Sequence, residues 1–309
     1  MSSSITEVSQ EVLTRRESGA ISEQKLQEYR EFLQVINEKF LNHRIVVNNT
    51  YCKWFESANL TRDHVRSFIQ QFSVFSHLFL IAALKRMINA SSLENYRKSK
   101  EILANEIGVI YRKTGQSIVG RAEGTNLSES DKDISGDPEL VSTDGTVDGG
   151  IFRFSAGHFE WLIRIGEQLG LDGFRDMGKR RLGTKSTLFF CDELDRIYGS
   201  DDANFSEGAS FAVENWAAAG FWKQLIRGLR HYKEKELPDL KLAFFTWHDK
   251  VEDNHAHHMQ DELAEVFFHD DFDKERFLKG GLEILDGVAE FWDGLHRDFG
   301  PKGKKKVAN

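Results

Sequence analysis

The chain has 309 residues, 40% of them hydrophobic and 29% charged, which is the composition of an ordinary folded protein rather than of a disordered one. A formal net charge of −8 at pH 7 supplies no overall field for nucleic acid or an anionic membrane, so neither is an expected partner. Two cysteines, Cys52 and Cys191, are too few for a disulfide framework and fit a reducing, cytoplasmic setting.

Residues 1–20 lack the apolar core of a signal peptide and read as a flexible N-terminus. Across residues 22–42, Leu26, Tyr29, Phe32, Leu33, Ile36 and Phe40 recur at three- and four-residue steps, an amphipathic helix. The stretch from Leu60 to Ala90 opens with Thr61 as N-cap and Asp63 in the first turn, then becomes nearly all apolar, as a central helix does. No apolar run is expected to reach the roughly 20 residues that span a bilayer. Residues 93–113 predict a third helix. The period then stops: 115–150 is rich in Gly, Ser, Thr and Asp and reads as a mobile insertion, either a lid or a dispensable loop. Helical signal resumes after Gly150 and continues to Phe299, and residues 301–309 form a basic tail. Only three prolines interrupt the chain, and no strand pair or repeat is evident. The expected architecture is one all-α domain over residues 21–300, with seven or eight helices and a polar mid-chain insertion.

The segment FFTWHDKVEDNHAHH crowds imidazoles and carboxylates after an apolar stretch. On a helix over 239–267, His248, Glu252 and His255 fall on one face, four and three residues apart. Phe244, Phe245 and Val251 share that face, so it is expected to point inward. A metal ion would satisfy two inward imidazoles and a carboxylate, and a mixed nitrogen and oxygen set suits iron, manganese or zinc. A hydrogen-bonded polar cluster on a half-exposed helix is the other reading. His257 and His258 lie off the stripe and read as solvated. Three further donors sit in apolar surroundings on other predicted helices: Glu106, His158 and Glu214. An unpaired carboxylate at Glu214 would cost several kcal/mol, on the order of a buried charge, and calls for a nearby cation. No His-Glu-x-x-His pair, Gly-rich phosphate loop or Gly-x-Ser-x-Gly elbow occurs.

At these residues the sequence resembles the haem-oxygenase-like di-iron oxidases and oxygenases. NEIG matches the family motif at Glu106, GHFEWL at His158 and AVENWA at Glu214, while HDKVEDNH matches at His248, Glu252 and His255. Glu101 is the alternative first-half carboxylate. The resemblance covers residues 60 to 297. It implies a haem-oxygenase-like helical bundle holding two Fe(II) ions, with O2 as co-substrate and those six residues as metal ligands. It also implies oxidation of a small molecule: N-oxygenation of an amine or amino acid, or oxidative C–C cleavage or decarboxylation. The expected partner is the small-molecule substrate, with a reductase or other electron donor and a second copy of the chain as candidates. A metal-free binding protein and a cofactor-free oxidase on the same scaffold are the competing readings.

Overall fold

The computed structural model describes residues 8–108, 141–144, 153–255 and 259–301, with side chains described except at 141–144, 153–155, 251–255 and 259–262. The fold is all-α, as expected. In chain order the helices are α1 (Gln10–Glu17), α2 (Glu23–Ile36), α3 (Arg44–Val47), α4 (Thr50–Ser57), α5 (Arg62–Ile88) and α6 (Leu93–Glu106). They are followed by α7 (His158–Gln168), α8 (Lys185–Glu193), α9 (Ala203–Ala217), α10 (Phe221–Glu236), α11 (Ala243–His255), α12 (Met259–Phe267) and α13 (Lys274–Phe299). One-turn π-helices, Asn37–Leu41 and Leu194–Tyr198, extend α2 and α8.

The helices outnumber the seven or eight expected, because several predicted long helices divide and short ones form between them. Of the single helix expected over 239–267, the described residues contain α11 and α12. Helix α1 forms inside the segment expected to be a flexible N-terminus, and its Val12 is fully buried. A second departure is a short antiparallel pair, β1 (Val141–Asp144) with β2 (Arg153–Ser155), where no strands were expected. The rest of the 115–150 insertion, and with it the mobile-lid expectation, lies outside the described residues. So does the basic tail beyond Pro301.

Local chemistry explains the helix boundaries. Ser22, Asn49, Thr61, Ser92, Thr184, Asp202 and Asp273 each accept a backbone N–H three residues on, satisfying donors that the first turn leaves unpaired. Thr61 completes a capping box with His64, so the expected start of α5 holds. Helix α5 is long and apolar enough to cross a membrane by length and composition alone, and part of it is buried in the bundle. The absence of such a run was therefore a wrong expectation. Several of its polar groups are nonetheless engaged within the bundle. Gln71 receives the Thr184 N–H at 2.8 Å and donates to the Leu182 carbonyl at 2.9 Å, and Arg86 pairs with Glu207 at 2.9 Å.

The core is one aromatic-rich cluster in which Phe68, Phe72, Phe245, Phe291 and Trp292 are all essentially inaccessible. Helix α13 lies along α9 at an unusually close crossing. A Cβ at Gly208 would collide with the Phe277 carbonyl, and one at Gly280 with the Phe205 carbonyl. Each helix therefore contributes a glycine at the point where the other's backbone passes.

Candidate metal centre

Three of the expected ligands come together. Glu106, His158 and His248 each direct a ligand atom into a common space, all within 4.8 Å of one another. Each arrives there by a local rule. Helix α6 stops because Gly108 takes a left-handed φ of 85° and its N–H returns to the Asn105 carbonyl, which leaves Glu106 in the last turn. Helix α7 begins at His158, where the preceding Gly157 N–H donates to Glu160 Oε1 at 3.0 Å. The two helix ends touch: a Cβ at Gly157 would stand 2.9 Å from the Glu106 carbonyl oxygen. Glycine is thus needed where residues 51 apart in sequence meet. Helix α11 is pinned by the buried Phe244 and Phe245, which sets His248 one turn beyond Phe244 on the same face.

His158 is 5% exposed and its Nδ1 lies 3.1 Å from Glu106 Oε2. That distance suits an ion pair, yet among the described residues Nδ1 has no hydrogen-bond partner, so the two atoms approach without the proton between them being aligned. Two donors bound to one ion at about 2.1 Å stand about 3.0–3.4 Å apart at octahedral or tetrahedral angles. The observed approach falls within that range as well as within that of an ion pair.

His248 is poised the same way. Its Nδ1 lies 2.6 Å from the Phe244 carbonyl oxygen, an acceptor only, so Nδ1 carries the proton and Nε2 keeps its lone pair. Burial first, and the charge of nearby His158 second, hold this imidazole well below its ordinary range, against the opposing effect of the Phe244 bond. A neutral imidazole is the metal-binding form. An aromatic shell surrounds both rings: Trp247 stands 4.7 Å from His158 and Trp222 stacks on His248 at 4.8 Å. The donor set therefore fits a divalent metal ion, and two histidines with one carboxylate are the set found in non-haem iron oxygenases.

The other expected ligands are placed differently. Glu214 is not in this group. The nearby Arg86 has Glu207 as its direct partner, at 2.9 Å, and Glu214 adds only a smaller electrostatic pull on it. Arg86, near the end of the apolar α5, escaped the sequence reading; the basic pair Lys85–Arg86 closing an apolar run was the available signal. Glu214 and Glu101 both line a cavity of about 730 Å³ between α6, α9 and α12. Glu101 is exposed and apart from His158, so Glu106 is the carboxylate the fold brings to the histidines. The backbone of α11 runs on through Glu252 and His255, four and seven residues past His248 and so on its side of the helix. Their side chains lie outside the described residues. Trp222 and the Phe244 carbonyl, which orient His248, were not read as site groups from the sequence.

The chain matches no protein-family model and no curated protein sequence.

Proposed function

We propose that the protein is a non-haem, O2-activating di-iron oxidase or oxygenase acting on a small molecule. The observation that carries this reading is the convergence of Glu106, His158 and His248 from three helices, with His248 held neutral and its lone pair left available. These three would hold iron, and Glu214, Glu252 and His255 would complete the six-residue ligand set that the family resemblance implies. Bound iron supplies the redox chemistry with O2 that amino-acid side chains lack.

The protein's own contributions are positional. Glu106 provides negative charge against the cation, and the Phe244 carbonyl keeps the His248 proton on Nδ1. Trp222, Trp247 and Phe244 keep bulk water from the imidazoles. A cavity of about 730 Å³ lies beside α6, within the range that suits a small-molecule ligand. N-oxygenation of an amine and oxidative C–C cleavage or decarboxylation both remain within this class.

A mononuclear variant of the same function is favoured by one observation: Glu214 is not among the donors grouped at Glu106, His158 and His248. Anaerobic loading with Fe(II), followed by metal analysis and O2-uptake measurement, tests both. Two irons per chain support the di-iron reading and one supports the mononuclear reading. Failure to bind stoichiometric iron, or unchanged binding in His248→Ala, would overturn the proposal and favour a metal-free helical protein.

A further inference from the structure

We infer that the cavity beside α6 is a site for an organic cation, an amine carried on an apolar body, and that it selects such an amine over a carboxylate as substrate. The substrate role rests on the oxygenase reading of the candidate metal centre. The cavity, of about 730 Å³, follows one face of each of two helices. Asn95, Ser99 and Ile102 line it from α6 at steps of four and three residues, and Glu106 continues that row one turn beyond Ile102. Glu207, Phe211 and Glu214 line it from α9, again at steps of four and three. The α6 row thus leads from the cavity to a carboxylate of the candidate centre.

The charge of the lining is one-sided. Six carboxylates face three basic groups, His269 included. The other two bases are already engaged. Arg86 donates to Glu207 at 2.9 Å and to the Ser206 carbonyl at 3.0 Å, while Lys98 stands 3.2 Å from Glu94 and 3.1 Å from Glu265. A carboxylate ligand would have to take Arg86 or Lys98 from an existing partner. An ammonium group instead meets a surplus of negative charge, which the low-dielectric walls of a cleft focus inward.

Two further observations, independent of the charge, describe the ligand. Ser99 is 5% exposed and belongs to the α6 row that lines the cavity. Among the described residues its hydroxyl has no hydrogen-bond partner. A buried polar group in that position calls for one, and a hydroxyl oxygen accepts from an ammonium N–H. The lining also includes the buried Phe211, Leu263 and Phe277. A bare metal ion would leave this apolar surface uncovered. An amine with a hydrocarbon or aryl body covers it, and aromatic faces also attract cations.

The test uses the full chain without metal, so that its outcome does not depend on iron. Calorimetric titration compares phenethylamine with hydrocinnamate and phenethyl alcohol, which carry the same ring on similar chains with positive, negative and no charge. The amine should bind about tenfold more tightly than either of the others. Ser99→Ala should weaken amine binding by about three- to tenfold, and the exposed pair Glu101→Gln with Asp271→Asn by about threefold. Ile102→Trp, which fills the cavity, should abolish it. The inference is overturned if the amine does not bind saturably, if hydrocinnamate binds as tightly, or if Ser99→Ala and the double variant both bind like the wild type. Stoichiometric iron and O2 uptake in a protein that binds no amine would remove this inference and leave the oxygenase reading intact. Amine binding in a protein that takes up no iron would do the reverse, leaving a cation site without the oxidation chemistry.

Discussion

The indole of Trp222 lies nearly parallel to the imidazole of His248, with ring centroids 4.8 Å apart and planes at 25°. The Phe244 carbonyl fixes the same imidazole from its Nδ1 side. One contact sets the ring's plane and the other its tautomer, so the lone pair on Nε2 has a defined direction before any metal arrives. We predict that Trp222→Ala weakens metal affinity by about tenfold, the lower end of what orienting partners contribute, while Trp222→Phe largely preserves it. Competition titration against a chromophoric chelator measures both.

Glu106 and Glu101 separate cleanly in a metal assay. Glu106→Gln should lose most bound iron, whereas Glu101→Gln, altering an exposed group on the cavity wall, should retain it. Equal losses in the two variants would refute the placement of Glu106 beside His158.

The His248 imidazole gives the metal-free protein a pH dependence whose sign follows from its depressed pKa. The unfolded chain takes up this proton near the ordinary value of 6.5, while the folded chain resists until lower pH. Between those two values the unfolded state binds more protons, so stability rises with pH and falls as pH drops below about 6.5. His43 and His77 are depressed in the same direction, chiefly by burial, and add to the effect. One such group can contribute a slope of up to about 1.4 kcal/mol per pH unit. Urea midpoints from pH 7.5 to 5.5 should decline, and less steeply in His248→Gln.

Arg86 pairs with Glu207 at 2.9 Å. Arg86→Met should destabilise the fold by about 3–5 kcal/mol, as breaking a buried pair does, and Glu207→Gln in the same chain should restore part of the loss. Additive losses in the double mutant would contradict the pairing.

At the α9–α13 crossing, Gly208→Ala and Gly280→Ala should each cost about 1–3 kcal/mol, the range for overpacking. The new methyl group would press on a carbonyl of the facing helix, not on a flexible side-chain tip. Chemical denaturation checks the size of the loss, and wild-type stability in either variant would exclude the close approach.

The all-α class was legible because apolar residues at three- and four-residue steps leave no other economical way to bury them. Thr61 marked the start of α5 for the same local reason that caps act. Glu106, His158 and His248 could each be singled out as polar residues in apolar company. Their meeting could not be read locally, since it depends on α6 stopping at Gly108 and α7 starting at Gly157. The pairing of Arg86 with Glu207 was illegible for a related reason: a guanidinium reaching across from another helix leaves no mark in the sequence around its partner. The strand pair was missed because three or four residues carry too short a pattern to register.

The contact between the end of α6 and Gly157 makes the two sides of the long mid-chain connection neighbours at the candidate metal centre. Lengthening a connection whose ends are already held together costs little, about 0.6 kcal/mol per doubling. This junction is therefore a natural place to cut the chain or to splice in another domain. Fragments ending near Gly108 and beginning near Ala156 would carry Glu106 on one piece and both histidines on the other. Their reassembly could then be driven by adding metal, turning a coordination site into a switch for joining two polypeptides.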